Sequence, residues 1–600
     1  MLPKKEKNST RQSANSSKTA SKKPKVYNYT DIFMNYQKVL EKLNQISKVP
    51  KHGTKAYGKW VEQKEFLQFL LDTSSGEIPL YISFKETYIY SILLPQNVLK
   101  GDYVDDLMEW QCSPDSSWGY GYSFSKKGRP KNISISQPLD SAGSKLLKKA
   151  TPITFSRHFD GRIERKSYVE VYQQLTHLHD LHFVEEKNAY CRINEDGDIE
   201  EVIKIRYPQD EIIVTIKQDV LDFHMFLAKS VLLRVFDRTI CNDWIGFHEE
   251  SRQESKFRDQ KNEIYAGRGI LFNKDRLPTA SWLRGFQIIR NHQPRKKMIA
   301  ILTGKSLEPK KYEKFIALDW KHDRIDECSC DPKKLGNYFI KSDKPFSTSP
   351  AFFKPEVLLK YKQNPEKYTL DQRHITCRNS WDLQTYDINE AGQVHTYLVY
   401  LGQLPYSEQL YWKAFNEKPK AGISKRAFKT DFKAEWDLSY EPLSELKKSL
   451  ENLGKKKSKL WSCANEDLYR QLNYVVSDSL KEWENEIHDL DKLVIEGFNY
   501  SYLKKLSKSL ECYSEELGSI KLLGEILKVK KINETGVNEM INPLEEIHFL
   551  RTKFVGHSSG AEANKIREEL ILKYGDLKSH FRDLLKRTDK AVKLLLEASL

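Results

Sequence analysis

Cysteine is scarce: the chain of 600 residues holds 8, at positions 112, 191, 241, 328, 330, 377, 463 and 512, and no two form a C-x-x-C pair. A disulfide scaffold and a zinc ribbon are thereby excluded, and reduced thiols are the default. Long apolar runs are missing too. No stretch approaches the roughly 18 to 20 uninterrupted apolar residues that a membrane helix requires, and no apolar signal core follows the basic N-terminus. The expectation is a cytoplasmic protein with no membrane partner.

Signatures of common enzymes are also lacking: there is no G-x-S-x-G, no G-x-G-x-x-G, no H-E-x-x-H and no kinase set. The run ILTGKS at 301–306 ends like a phosphate-binding loop, but the first glycine of that loop falls on Ile299, so the run reads as the end of a strand. His177, His179 and His182 straddle a helix-to-strand junction without cysteine companions, and no metal or cofactor is expected. Asp180, Glu185 and Lys187 make a faint D…E-x-K pattern better read as a solvated hairpin face.

What is present is a real core under a charged surface: hydrophobic residues make up 39% and aromatics 12% of the chain, which is long enough for two to four domains. The formal charge of +15 favours polyanionic partners. Part of that excess lies in residues 1–25, where eight Lys and Arg face the single acid Glu6 in a Ser/Thr/Asn background, the composition of a disordered tail.

From 26 to 435 the pattern is α+β or α/β, read as two subdomains, 26–165 and 166–435. The stretch 29–46 is amphipathic, 79–94 is strand-like, and 166–178 is helical. A hairpin follows, turning at Asp196-Gly197, then a helix at 219–228 and a strand at 231–237. Further strands are expected at 297–303, 313–319 and 393–404. Within the Ser/Gly/Pro-rich loops of 111–165, Trp118, Tyr120 and Tyr122 stand beside Lys126, Lys127 and Arg129. Such residues stack bases and hold phosphates, although aromatics of a Gly-rich loop more commonly pack onto their own domain.

After Trp436 strand-type runs vanish, and apolar residues recur at three- and four-residue steps across 466–494 and 501–529, so 436–600 is expected to be an all-α helical bundle. Gly454 and the following Lys run read as an inter-helix loop or the linker where the bundle begins. In 542–557, Asn542 suits an N-cap, Pro543 the first helical position and Gly556 the residue after the last turn. Leu544, Ile547, Leu550 and Phe554 form the expected buried stripe, with His548, Arg551 and Val555 along its edge. His557 lies just past the glycine.

Arg551 and His557, with five residues between them across a helix end in the penultimate part of a bundle, resemble the R-x(4-6)-H motif of the HEPN superfamily. The resemblance covers roughly residues 460–600, with the run at 576–598 like the closing helix of such domains. One departure is Thr552, where many members have Asn. The resemblance implies a metal-independent endoribonuclease without cofactor: the RNA 2′-hydroxyl attacks the adjacent phosphate, His557 moves the proton and Arg551 holds the developing charge. It implies a homodimer through the C-terminal bundle, and an N-terminal region acting as sensor or regulator in a toxin or phage-defence system. His548 and Thr552 are possible supporting residues, while Lys455, Lys456, Lys457, Lys459 and Lys553 add weak RNA affinity. Two alternatives stand beside it: a nucleic-acid-binding or dimerising scaffold without catalysis, and a metal-dependent nuclease using Asp180, Glu185, Glu200 or Asp237.

Overall fold

A computed structural model describes residues 30–598 apart from 110–117, 137–138, 140–145, 158–167, 209–210, 243–244, 246–248, 305–308, 436–439 and 555–560. The basic tail at 1–25, Lys305 and Ser306 of ILTGKS, and His557 therefore lie outside the described residues. The chain divides into two units, residues 1–192 with 201–307, and residues 193–200 with 308–600.

The first unit is built on an eleven-stranded sheet. Its centre comes from the apolar run at 79–94, which is two strands rather than one: Glu77–Phe84 and Thr87–Pro95 pair antiparallel, with Lys85 at φ +49° taking the bend. Thr87–Pro95 pairs with Ser230–Cys241, which pairs in turn with Pro278–Ile289, again antiparallel. Because the sheet takes strands from 77–95 and from 182–289, residues on both sides of 165 share it. Helices Thr30–Ser47, Lys55–Val61 and Lys64–Leu71 precede it, and Val39, Leu43, Phe66 and Leu70 pack on Ile82, Ile89, Phe236 and Leu283 of one face. Helix Gln218–Ala228 sets Val220, Leu221 and Met225 against Ile78, Ile92 and Val214. Antiparallel pairing with helices laid on the sheet makes this region α+β rather than α/β.

Two segments of this unit differ from the sequence expectation. Residues 295–302 form a helix, not a strand: Lys297 N and Met298 N donate to Pro294 O at its start, Ile299, Ile301 and Leu302 face solvent, and Gly304 at φ +64° ends it. The stretch 166–178 splits into the strand Tyr168–Val171 and the helix Gln173–Leu178.

The second unit opens with a six-stranded sheet in which Lys314–Asp319 pairs with Arg324–Ser329 and Pro350–Phe353 with Val394–Tyr397. The run at 393–404 is strand only to Tyr397, then turns helical at Leu398–Leu401. Helices follow from Pro442 to Glu597 around one core that includes Leu450, Trp461, Trp483, Leu490, Leu523, Leu544, Leu550 and Phe581. Gly454 is not in a linker: it lies within helix Pro442–Lys456, where a side chain would press on the Trp461 ring at 3.2 Å. The two long helical readings are each interrupted, at 472–479 and at 510–518.

Lys362, on the short helix Leu359–Lys362, ties the β part of this unit to the bundle. Its side chain is 5% exposed, and its ammonium pairs with both Glu482 and Glu486 of helix Leu480–Val494. One cation cannot neutralise two buried carboxylates. Glu482 also accepts from Val476 N, Ser477 N and Ser477 Oγ and stays ionised, whereas burial pushes Glu486 up to about 7. A carboxyl raised in the folded state makes stability fall as pH climbs from its unfolded value through its folded one. Glu486→Gln should remove that decline, gaining on the order of 2 kcal/mol at mildly alkaline pH and nothing in acid. Urea unfolding across pH checks this, and parallel profiles for the two proteins would refute it.

Candidate functional site

Two helices of the bundle build the candidate site. Helix Leu480–Val494 starts at Ser479, whose Oγ accepts from Glu482 N, and buries Trp483, Ile487, Leu490 and Val494. Helix Glu534–Phe554 buries Leu544, Ile547, Leu550 and Phe554, the stripe expected from the sequence, and the Trp483 and Phe554 rings meet edge to face at 5.0 Å. The start of this second helix differs from expectation. Asn542 and Pro543 lie inside it, and Asn533 caps it by accepting from Gly536 N at 2.7 Å. Val537, Met540 and Ile541 continue the buried stripe upstream, so packing carries the helix through a proline that locally reads as a start.

Asp491 interrupts the apolar stripe of its helix and is 1% exposed. Its carboxylate takes His548 Nδ1 at 3.1 Å and lies 3.7 Å from Arg551 Nε. The longer contact is an ion pair and not a hydrogen bond, and Arg551 Nε has no hydrogen-bond partner among the described residues. The outer ends of both side chains stay open to solvent, with His548 53% and Arg551 36% exposed. His548 is thus a half-exposed ring held by a buried acid, not a core histidine. Thr552 turns back on its own helix, donating to His548 O at 2.8 Å. His488, one turn before Asp491, has its titration lowered by burial, with the Lys492 and Arg551 charges adding to the effect. This group sets the Arg551 guanidinium and the His548 imidazole beside one buried acid, with His488 a turn earlier on the acid's own helix, a set of residues able to grip an anion and move a proton.

No family model, no curated protein and no solved structure matches the chain. The site is therefore read from its own chemistry. A second buried network backs it: Trp483 Nε1 donates to His580 Nδ1 at 3.2 Å, and His580 Nε2 faces Glu546 Oε1 at 3.1 Å. Burial raises Glu546, but hydrogen bonds from His580 and Arg587 outweigh it and hold the carboxyl down at about 2. With Nδ1 accepting, the ring carries its proton on Nε2, so the polar side of helix Glu534–Phe554 is pinned to the last helix, Leu577–Glu597.

The sequence pointed to Arg551, His548 and Thr552 but missed Asp491, His488, Glu546 and His580. Asp491 had a readable signal, an acid one residue off the Trp483–Ile487–Leu490–Val494 stripe. Of the lysines, Lys455, Lys456 and Lys459 are exposed, Lys457 donates to Ala598 O, and Lys553 pairs with Glu562 at 2.8 Å. In the first unit, His179 faces His224 at 3.3 Å, His182 faces Asp180 at 3.2 Å, and Asp237 is held by Arg284 at 2.7 Å. Among the described residues no three His, Cys, Asp or Glu are grouped as metal ligands would be. A cavity of about 730 Å³ elsewhere in the second unit is lined by Lys447, Arg426, Asp387 and Glu441. Its cations are spent internally, Arg426 on both oxygens of Asp387 and Lys447 on Leu472 O.

Burial raises Asp491 above its ordinary value despite the opposing pull of His548 and Arg551, so at neutral pH its ionised form weakens the fold. Asp491→Asn should melt at or above the wild-type temperature at neutral pH, with the gain fading as pH falls through the ordinary carboxylate range. A fall of several degrees at neutral pH would show that Asp491 serves the fold and not the site.

Proposed function

We propose that this chain is a metal-independent, HEPN-type endoribonuclease whose effector site lies at the end of helix Glu534–Phe554. The observation that carries the reading is the buried Asp491 holding His548 and Arg551 together while leaving both side chains exposed. A charge kept in a core at a cost to stability is a mark of function, and Arg551 is the motif arginine of the HEPN resemblance. His557 stands six residues on.

In this reading the RNA 2′-hydroxyl attacks the neighbouring phosphorus, the bond to the 5′-oxygen breaks, and a cyclic phosphate and a 5′-hydroxyl result. Arg551, oriented through its Nε side, directs its remaining N–H groups at the phosphate oxygens, which gain charge in the transition state. His557 returns a proton to the leaving oxygen, and His488, kept neutral by burial, is a second imidazole able to accept one. Two bundles pair so that both copies of the motif face one cleft. The remaining region acts as sensor or regulator, as a toxin or phage-defence effector requires, and the protein acts in the cytoplasm.

Arg551→Ala and His557→Ala should each slow cleavage of end-labelled RNA by about 10²-fold or more while the protein stays folded. Chelation should leave the rate unchanged, and the products should end in cyclic phosphate. Cleavage abolished by EDTA, or untouched in Arg551→Ala, would overturn the proposal.

A further inference from the structure

The Gly/Ser-rich stretch of the first unit is not loop. Gly119–Phe124 and Pro130–Ser136 pair as a two-stranded hairpin, closed at its tip by Gly128 at φ +72°. The register slips between Gly121 and Ser123, where Asn132 at φ +52° absorbs the extra residue of a bulge. Alternation sets Tyr120, Tyr122 and Phe124 on one face, and their rings touch in sequence, Tyr120 to Tyr122 nearly parallel at 6.4 Å and Tyr122 to Phe124 edge to face at 5.2 Å. Ile135 lies opposite Tyr120 in the register, with Ile133 two residues before it.

None of these side chains packs down. Tyr120 is 80% exposed, Ile135 76%, Ile133 75%, Phe124 64% and Tyr122 52%, and Trp118 at the hairpin entry is 62% exposed. An apolar face this open on a two-stranded ribbon is unfavourable in water and marks an interaction surface. Charge decides the occupant. Lys126, Lys127, Arg129 and Lys131 ring the tip, all exposed, and residues 118–136 contain no Asp or Glu.

We propose that this hairpin binds single-stranded nucleic acid, with bases stacked on Tyr120, Tyr122 and Phe124 and phosphates held by Lys126, Lys127, Arg129 and Lys131. Rings accept any base through its π face, and the cations track the backbone beside them. A bilayer is the poorer occupant, because driving the tip inward would bury four cations. A duplex is also poorer, since its bases are already stacked on one another. The proposal concerns binding in the first unit and does not require that the chain cleave RNA.

The test is fluorescence anisotropy of the full chain with a labelled single-stranded RNA of about 12 nucleotides. The same sequence as single-stranded DNA and as RNA duplex, and vesicles of anionic phospholipid, serve as the other probes. Arg551→Ala in every protein keeps the RNA intact, so loss of binding and loss of cleavage are read separately. Tyr122→Ala should weaken RNA binding about tenfold, and Tyr122→Trp should restore it. Reversing Lys126, Lys127 and Arg129 to Glu should flatten the dependence of log affinity on log salt by about 2. Equal binding of single-stranded RNA and DNA supports the proposal as stated, and a preference for RNA narrows it to RNA. Unchanged affinity in a folded Tyr120/Tyr122/Phe124 triple Ala variant, tighter binding of the duplex, or binding of vesicles in place of oligonucleotide would overturn it.

Discussion

A single carboxylate inside the helical bundle organises the far end of the second unit. Asp491 sits where an apolar side chain would pack better, and its solvation loss is only partly offset by His548 and Arg551. In exchange the His548 ring and the Arg551 side chain lose freedom. A long arginine on a helix surface samples many rotamers, and an anchored one presents its fork in one direction before any anion arrives. The Glu546–His580–Arg587 network does the same for the helix itself, fixing its polar side to the last helix of the chain.

Much of the bundle was legible from local pattern. The stripe of Leu544, Ile547, Leu550 and Phe554 follows from spacing and is present, and the chain closes on a helix at Leu577–Glu597, where the resemblance places one. Errors arose where local chemistry and packing disagreed. Pro543 is a good first residue for a helix, yet upstream apolar positions at 537, 540 and 541 found a place in the core, and the helix ran through it. Ile299 and Ile301 favoured a strand by type, but they stayed in solvent while Met298 and Ala300 took the buried side. The site was half legible for the same reason: Arg551 stands in a motif, whereas Asp491 shows locally only as an acid beside an apolar stripe, and its partners His548 and Arg551 lie about 60 residues away, where no local pattern reaches.

The first unit shows the opposite balance. Apolar clusters pack on its antiparallel sheet, and its buried Arg234 and Arg238 are spent on backbone carbonyls and on Glu86, as its buried Lys204 is on Glu77. The hairpin at 119–136 departs from that economy, with its largest apolar groups outside and its cations at the tip. A sequence reader expects aromatics in such a stretch to fold inward, and here the strand alternation that exposes them follows from pairing with 130–136.

Helix Leu480–Val494 carries Glu482 and Glu486 in the grip of Lys362 near its beginning and His488 and Asp491 towards its end. A hydrogen-bonded helix behaves as a stiff rod over such a span, about 13 Å from Glu482 to Asp491. The clamp on Lys362 and the anchor beneath Arg551 therefore share one stiff element. The two ends are one mechanical part, and neither can be retuned by evolution without the other feeling it.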